Sequence, residues 1–206
     1  MFDRIAKVYD LLNTVMTAGL HHRWRERAAD LALLGPGSRV LDVATGTGDL
    51  AIELARRVAP GGEVVGSDFS EAMLARARTK PKPAGAELRF EWGDALELPF
   101  ADGTFDAATV GFGARNFSEL AQGLREMVRV VRPAAPVLIL DVPDAAKREA
   151  CEEARRASGA ALNPPHCYYP KQFFEEFAAS AGRRAKISDQ AVPGYANSAF
   201  RYNVLL

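Results

Sequence analysis

A chain of 206 residues has room for one domain of ordinary size, whose core needs no disulfide or metal staples. Its 26 basic residues equal its 26 acidic residues, which disfavours nucleic acid as a partner. The two cysteines, Cys151 and Cys167, form no disulfide framework or metal-ligand motif, and no apolar run approaches the ~18 residues of a membrane span. We therefore expect a cytoplasmic protein without a metal site, as a monomer or a homodimer.

The first two thirds of the chain alternate between helical and strand-like patterns. Apolar residues of segment 1–34 recur at helical spacing, which predicts a helical arm that breaks near Gly19. Strands are then predicted at 38–43, 63–68, 88–93, 107–112 and 136–142, with helices between them at 50–58, 71–78 and 119–131. This alternation predicts parallel strands joined by right-handed crossovers, with helices on both faces of the sheet.

The pattern changes after Asp144. We predict a charged helix to about Ser158, a proline-rich patch at 163–170, an amphipathic helix at 171–181, and strands at 186–192 and 199–206. A turn at Pro193-Gly194 is too short for a parallel return, so the last two strands must be antiparallel.

Together these elements predict a Rossmann-like, doubly wound α/β fold. Its seven-stranded sheet is mostly parallel, with an antiparallel C-terminal strand and an N-terminal helical arm. Within the single domain 1–206, we expect the arm at 1–34, a cofactor-binding core at 35–142, and acceptor-covering helices with a strand pair at 143–206. Ligands of such sheets lie beyond the carboxyl ends of the strands, where the strand order reverses.

A glycine-rich turn follows the first predicted strand, with Ala44, Gly46 and Gly48 in the pattern A-x-G-x-G-D. Small residues there let a ligand approach the amides at the next helix N-terminus. A dinucleotide favours G-x-G-x-x-G, and Asp49 would repel its diphosphate. A zwitterionic amino acid with a cationic sulfur meets no such penalty, and Asp42 could meet its ammonium group, directly or through water.

Aspartates stand at the ends of three successive predicted strands. Asp68 can accept hydrogen bonds from both ribose hydroxyls, and Asp94 can accept one from the exocyclic amine of an adenine. Met73 can lie against the adenine face, and Ala95 offers a backbone amide at its edge. Any one aspartate could instead cap the helix that follows it. Three in series, Asp42 included, fit an adenosine without phosphate, which indicates S-adenosylmethionine.

Two segments resemble a known family. The first segment is residues 9–24 (YDLLNTVMTAGLHHRW), with Thr17 where serine is usual. The second is residues 105–117, together with the sequence LREMVRVVRP at 124–133. From Phe2 to about Val142, the chain resembles the ubiquinone and menaquinone biosynthesis C-methyltransferases, which belong to the class I S-adenosylmethionine-dependent methyltransferases. The resemblance implies that Thr47, Asp68, Asp94 and Ala95 contact the cofactor.

The chain also departs from that family. Gly111 replaces a serine that usually contacts the cofactor, and Ala134-Ala135 replace a glycine pair before the fifth strand. The region after Val142 is shorter than in the family and lacks its usual pattern, although this region is expected to cover the acceptor. The resemblance therefore supports methyl transfer more directly than a quinone acceptor.

The complete prediction for the cofactor site comprises Tyr9, Asp42, Ala44, Gly46, Thr47, Gly48, Asp68, Phe69, Met73, Asp94, Ala95 and Gly111. Tyr9 would close over the cofactor from the arm, or it belongs to the helix core. Arg115 could stabilise the phenolate of an activated ring, or it holds a carboxylate of the protein. Asn116 could orient the ring, and His21 is either a base or a structural cap. Arg201 and Tyr202 carry no distinguishing pattern.

The predicted reaction transfers a methyl group from S-adenosylmethionine to a ring carbon of a small hydroxylated aromatic or quinol. A prenylated quinol would bring the protein to the membrane periphery, although core packing explains the apolar stripe of the arm more simply. Rival hypotheses are an O-, N- or S-methyltransferase of another metabolite and a protein that binds S-adenosylmethionine without turnover. A nicotinamide oxidoreductase is disfavoured by the A-x-G-x-G spacing.

Overall fold

The computed structural model describes residues 21–32, 34–157, 167–190 and 196–206, with the backbone alone at 21–25 and 196–197. In this part of the chain the helices are α1 (His21–Leu31), α2 (Asp49–Val58), α3 (Glu71–Thr79), α4 (Leu120–Val130), α5 (Arg148–Ala157) and α6 (Lys171–Ser180). The strands are β1 (Arg39–Val43), β2 (Glu63–Asp68), β3 (Glu87–Trp92), β4 (Ala107–Val110), β5 (Val137–Pro143), β6 (Lys186–Asp189) and β7 (Arg201–Leu205). Short 3-10 turns lie at Ala114–Asn116, Ala145–Lys147 and Ala196–Phe200.

The seven strands form one sheet in the order β3-β2-β1-β4-β5-β7-β6. Strands β1 to β5 pair in parallel, while β7 runs antiparallel to both β5 and β6. The chain winds outward from β1 to β3 and then returns to the other side of β1 with β4. The strand order therefore reverses between β1 and β4, and a ligand crevice is expected at their carboxyl ends.

Each face of the sheet is covered by helices. The apolar positions of α1, α2 and α3 pack on one face, and those of α4 and α6 pack on the other, so that two separate cores sandwich the strands. Helix α2 buries residues 50–55 and 58, and among them positions 50, 51, 54, 55 and 58 have the spacing expected for an amphipathic helix. The Oγ atom of Ser70 accepts a hydrogen bond from the Met73 amide and so caps α3.

The predicted fold class is confirmed, including the antiparallel pairing at the C-terminal end. Strand β4 is shorter than predicted because the chain turns at Gly111, after Val110. Strand β7 begins at Arg201, two residues later than predicted, because a 3-10 turn occupies the preceding residues. The predicted break at Gly19 and the turn at Pro193-Gly194 lie outside the described residues. Within the described ranges, no helix is long and apolar enough to cross a bilayer.

Candidate active site

The glycine-rich turn joins β1 to α2 with a backbone that small residues can adopt. Ala44, Gly46 and Gly48 have φ angles of 52°, 59° and 81°, in the left-handed region. A methyl group added at Gly46 would meet no atom within 4 Å, whereas one added at Gly48 would lie 2.6 Å from the Phe90 ring. Gly46 therefore borders open space, and Gly48 allows the turn to pack closely on the sheet.

Asp68 ties the end of β2 to this turn. Its Oδ2 atom accepts a hydrogen bond of 2.7 Å from the Gly46 amide, and its Oδ1 atom accepts one of 2.8 Å from the Ser70 amide. Each oxygen of a carboxylate can accept more than one hydrogen bond, which the hydroxyls of a ribose would require. The structure thus brings Gly46 and Asp68 together at the crevice, as expected of a turn and a strand end that share a ligand.

Asp94 occupies the corresponding place after β3. The Gly93 amide donates to the Asp68 carbonyl oxygen at 3.2 Å, which places the ends of β2 and β3 side by side. Asp94 Oδ1 accepts a 2.9 Å hydrogen bond from the Leu96 amide, and the residue is partly exposed. Ala95 is also partly exposed and packs against the core that includes α4. Asp68, Asp94 and Ala95 therefore lie along one edge of the sheet.

Asp42 lies beneath the turn. Its carboxylate is buried and accepts hydrogen bonds from the hydroxyls of Thr45, at 2.6 Å, and Thr109, at 2.7 Å. Burial raises the pKa of Asp42 to about 6, although both hydroxyl bonds act to lower it. Protein encloses this carboxylate, and its contact with a ligand ammonium, directly or through water, stays a prediction. Asp42 connects β1, the turn and β4.

Two further predicted site residues are buried. The Met73 side chain is enclosed in the protein, and its contact with an adenine face stays a prediction. The buried Thr47 hydroxyl accepts a 3.0 Å hydrogen bond from Lys80 Nζ. Lys80 also pairs with Asp49 at 2.6 Å. Lys80 therefore compensates the charge of Asp49, so Asp49 would repel a diphosphate less strongly than the sequence predicted.

An exposed aromatic pair stands beside Asp68. Phe69 is 69% exposed and Trp92 is 52% exposed, and their ring centroids lie 5.8 Å apart. Trp92 Nε1 donates a 3.0 Å hydrogen bond to the Phe69 carbonyl oxygen. Phe69, rather than Met73, supplies the open apolar surface at this edge. Sequence reasoning missed Trp92, although a tryptophan directly before the Gly93-Asp94 pair could have indicated it.

The segment after β4 approaches the glycine-rich turn from the other side. A methyl group added at Gly113 would lie 2.3 Å from the Ala44 side chain, so the two loops touch. Gly111 is buried at the end of β4, and Asn116 is exposed in the 3-10 turn. Arg115 is 27% exposed, and its Nη1 atom lies 3.4 Å from a carboxylate oxygen of Asp141. The predicted alternative for Arg115, a carboxylate of the protein, is thus its observed partner.

The remaining predicted residues lie at or beyond the limits of the described chain. His21 is the first residue of α1, and Tyr9 lies outside the described residues. Sequence reasoning also missed Asp141, which is buried in β5 and faces both Arg115 and Arg201. Burial raises the pKa of Asp141, opposed by the charges of Arg201 and Arg115 and by a hydrogen bond from Gln190.

The model of the ubiE/COQ5 methyltransferase family matches residues 1–154. The chain belongs to this family. The match includes both segments on which the resemblance was based, and it covers β1 to β5 and most of α5. The family resemblance is therefore confirmed.

Individual relatives agree with this membership. The chain is 52% identical over 143 residues to a protein named demethylmenaquinone methyltransferase from Thermus thermophilus, covering 69% of this chain and 64% of the relative. It is 47% identical over 143 residues to a 2-phytyl-1,4-naphtoquinone methyltransferase from Synechocystis, covering 68% of this chain and 60% of that relative. The chain thus spans less than two thirds of the length of these curated relatives.

The fold also recurs in solved methyltransferases. The magnesium protoporphyrin IX methyltransferase of Synechocystis, solved with bound SAH, superposes with a TM-score of 0.67. The two sequences are only 17% identical, and the superposition covers 93% of this chain and 84% of the other. This likeness confirms the doubly wound α/β fold.

Proposed function

We propose that this protein transfers a methyl group from S-adenosylmethionine to a ring carbon of a demethylated quinol. The observation that carries the proposal is the hydrogen bond from the Gly46 amide to the Asp68 carboxylate, which joins the carboxyl ends of β1 and β2 beside the point where the strand order reverses. Membership in the ubiE/COQ5 family and the names of the relatives support a naphthoquinone-type acceptor. A C-methyltransferase is accordingly favoured over transfer to oxygen, nitrogen or sulfur.

The residues along the crevice fit the parts of the cofactor. Open space at Gly46 and the N-terminus of α2 suit the amino acid moiety, with Ala44, Thr47 and Gly48 shaping the backbone around it. Asp68 has acceptor capacity for the ribose hydroxyls, and Asp94 and Ala95 have polar groups for the adenine edge.

The residues with buried side chains have supporting roles in this arrangement. Asp42 holds the turn from below, Met73 backs the adenine pocket, and Gly111 gives room at the end of β4. Phe69 offers a face for base stacking, with Tyr9 closing the site from the arm.

Carbon methylation asks the protein mainly to align donor and acceptor and to exclude water. S-adenosylmethionine supplies an electrophilic methyl group when bound. Arg115, at the carboxyl end of β4, stabilises a ring oxygen that has lost its proton, because a guanidinium lowers the energy of a phenolate. Asn116 orients that oxygen, and His21 receives the proton. The activated ring carbon is then the nucleophile.

The acceptor side of the proposal involves the last third of the chain. Helices α5 and α6 of segment 143–206 would cover the acceptor, while the core 35–142 holds the cofactor and the arm 1–34 closes the site. A prenylated quinol would require the protein to work at the membrane periphery, as a monomer or a homodimer. Vesicles that contain the quinol test this requirement, because only they should deliver a long-chain acceptor.

The deciding experiment supplies methyl-labelled S-adenosylmethionine and a short-chain demethylmenaquinol under reducing conditions. The expected product has gained one methyl group on a ring carbon, located by NMR. Asp68→Ala should lose most activity at limiting cofactor, and Glu87→Gln, an exposed change at the amino end of β3, should keep it.

Two results would refute this assignment. Label on a quinol oxygen would exclude carbon transfer. Label on another metabolite of a fractionated lysate, with none on the quinol, would exclude the acceptor class while leaving methyl transfer intact. Cofactor binding without transfer to any component would instead favour a binding protein.

A further inference from the structure

Asp141 occupies an unusual position in β5. The register between β5 and β7 shifts between Ile139 and Val142, and Asp141 has a φ angle of 54° inside this irregularity. A non-glycine residue in the left-handed region is uncommon, and bulges of this kind redirect a side chain. The Asp141 amide donates a 3.2 Å hydrogen bond to the Asn203 side-chain oxygen on β7. The backbone of Asp141 is thus held in an unfavourable left-handed conformation.

The Asp141 carboxylate lies between two guanidinium groups. Its Oδ2 atom is 3.4 Å from Arg115 Nη1 and 3.8 Å from Arg201 Nε, and its side chain is fully buried. Gln190, just after β6, also donates a side-chain hydrogen bond to it. Among the described residues, Arg115 from the 3-10 turn, Arg201 from β7 and the neutral Gln190 face this carboxylate. Two cations share one carboxylate.

Arg201 is not explained by stability. The residue is 2% exposed, and its Nε and Nη1 atoms donate to no acceptor within the described part of the chain. A buried charge that lacks hydrogen-bond partners is costly, and well-packed apolar residues often replace buried ion pairs without loss of stability. The charge of Arg201 lies near Asp141 at the carboxyl end of β5. Asp141 also contacts Arg115, which the proposed function places against the acceptor oxygen.

We infer that Arg201 is a positioning residue, which keeps Asp141 ionised so that Asp141 fixes the guanidinium of Arg115. The effect of Arg201 on catalysis rests on the proposed function, which gives Arg115 its role at the acceptor. Arg115 is 27% exposed and has a single long hydrogen bond to Asp141, so its orientation depends on that carboxylate remaining charged. Arg115 then meets the acceptor oxygen with a fixed orientation, which methyl transfer to an aligned ring requires.

The direction of the pKa of Asp141 agrees with this role. Burial raises the pKa of this carboxyl, and the charge of Arg201 is the largest influence that opposes the rise, followed by Arg115. Without Arg201, the pKa of Asp141 must rise further. A protonated Asp141 would no longer attract Arg115, so activity would fall on the acidic side at a higher pH than in the wild type.

The test compares Arg201→Met with Arg201→Lys and with Arg183→Met. Arg183 serves as a control, since it is a partly buried arginine that donates to the Ala135 carbonyl oxygen before the amino end of β5. Steady-state rates are measured against pH, with S-adenosylmethionine and the short-chain demethylmenaquinol.

For Arg201→Met we expect kcat to fall about tenfold, KM for S-adenosylmethionine to stay within about twofold, and the acidic limb to move up by about one pH unit. Arg201→Lys should recover part of the rate, because it keeps the charge, and Arg183→Met should retain the wild-type profile.

An Arg201→Met enzyme with wild-type kcat and an unmoved acidic limb would overturn the inference. If this variant fails to fold, Asp141→Asn replaces it. For Asp141→Asn we expect a lower kcat and a pH profile that lacks the acidic limb caused by protonation of Asp141. Unchanged rates in Asp141→Asn would also overturn the inference. NMR titration of the Asp141 carboxyl carbon needs no acceptor and should show a higher midpoint in Arg201→Met. An unchanged midpoint refutes the charge coupling, whereas a wild-type enzyme that leaves the quinol unmethylated refutes only the proposed function.

Discussion

Replacing Asp42 by asparagine should stabilise the protein at neutral pH. The pKa of this carboxyl is raised from 3.8 to about 6 by burial, so its ionised form is disfavoured in the folded state. A difference of about two pKa units corresponds to roughly 3 kcal/mol of unfolding free energy. Asparagine is close in shape, and the hydroxyls of Thr45 and Thr109 can rotate to donate or accept.

The sign of the pH dependence follows from the raised pKa. Because the folded pKa exceeds the unfolded one, the carboxyl contributes its stability in full below about pH 4 and loses it as the pH rises through about 6. The advantage of Asp42→Asn should therefore be largest above pH 7 and about half as large at pH 5. At pH 7.5 the melting temperature should rise by about 5 °C or more, since ~1 kcal/mol shifts a domain of this size by 2–4 °C.

Scanning calorimetry or circular dichroism at several pH values measures this effect. Glu175→Gln removes an exposed carboxylate on α6 and serves as the control. We expect it to change the free energy of unfolding by less than about 0.5 kcal/mol at any pH. A lower melting temperature for Asp42→Asn at pH 7.5, or a change that does not depend on pH, would refute the reasoning. Either result would mean that the two hydroxyl bonds outweigh the cost of burying the charge.

Three further predictions concern the crevice. Asp68→Ala should weaken S-adenosylmethionine binding by roughly 1–3 kcal/mol in calorimetry, because ribose hydroxyls lose an acceptor; unchanged affinity would exclude the proposed ribose site. Gly48→Ala should lower the free energy of unfolding by about 2 kcal/mol or more in urea, since the added methyl group would lie 2.6 Å from the Phe90 ring at a φ of 81°, and wild-type stability would contradict this packing. Phe69→Ala should raise the dissociation constant for S-adenosylhomocysteine about tenfold if the exposed ring stacks on adenine, whereas an equal constant would place the base elsewhere.

Periodicity and spacing were sufficient to predict the sheet, because alternating strands and helices admit few topologies. The same reasoning located Gly46, Asp68 and Asp94, since each follows a strand whose carboxyl end must lie at one edge. Local signals of this kind depend only on residues close together in the chain.

The charge partners could not be predicted in this way. Asp141 reaches Arg115 through an irregularity in β5, and Arg201 joins them across β7, so three distant segments must first fold together. Lys80 similarly crosses from the end of α3 to Asp49, and its charge compensates that of the aspartate. Burial of Asp42 and Met73 likewise depends on neighbours from other strands and helices, which no local pattern records.

The pair of backbone amides held by Asp68 also limits which acidic residue can stand there. Bonds of 2.7 Å to Gly46 and 2.8 Å to Ser70 both require a side chain with a single methylene group. Glutamate would carry the same charge to the ribose, but its extra methylene would push the carboxylate past both amides. The glycine-rich turn would then lose its anchor even though the acid was retained. Side-chain length at position 68 is therefore under a stricter constraint than charge, and Asp68→Glu should behave more like a loop mutation than a conservative exchange.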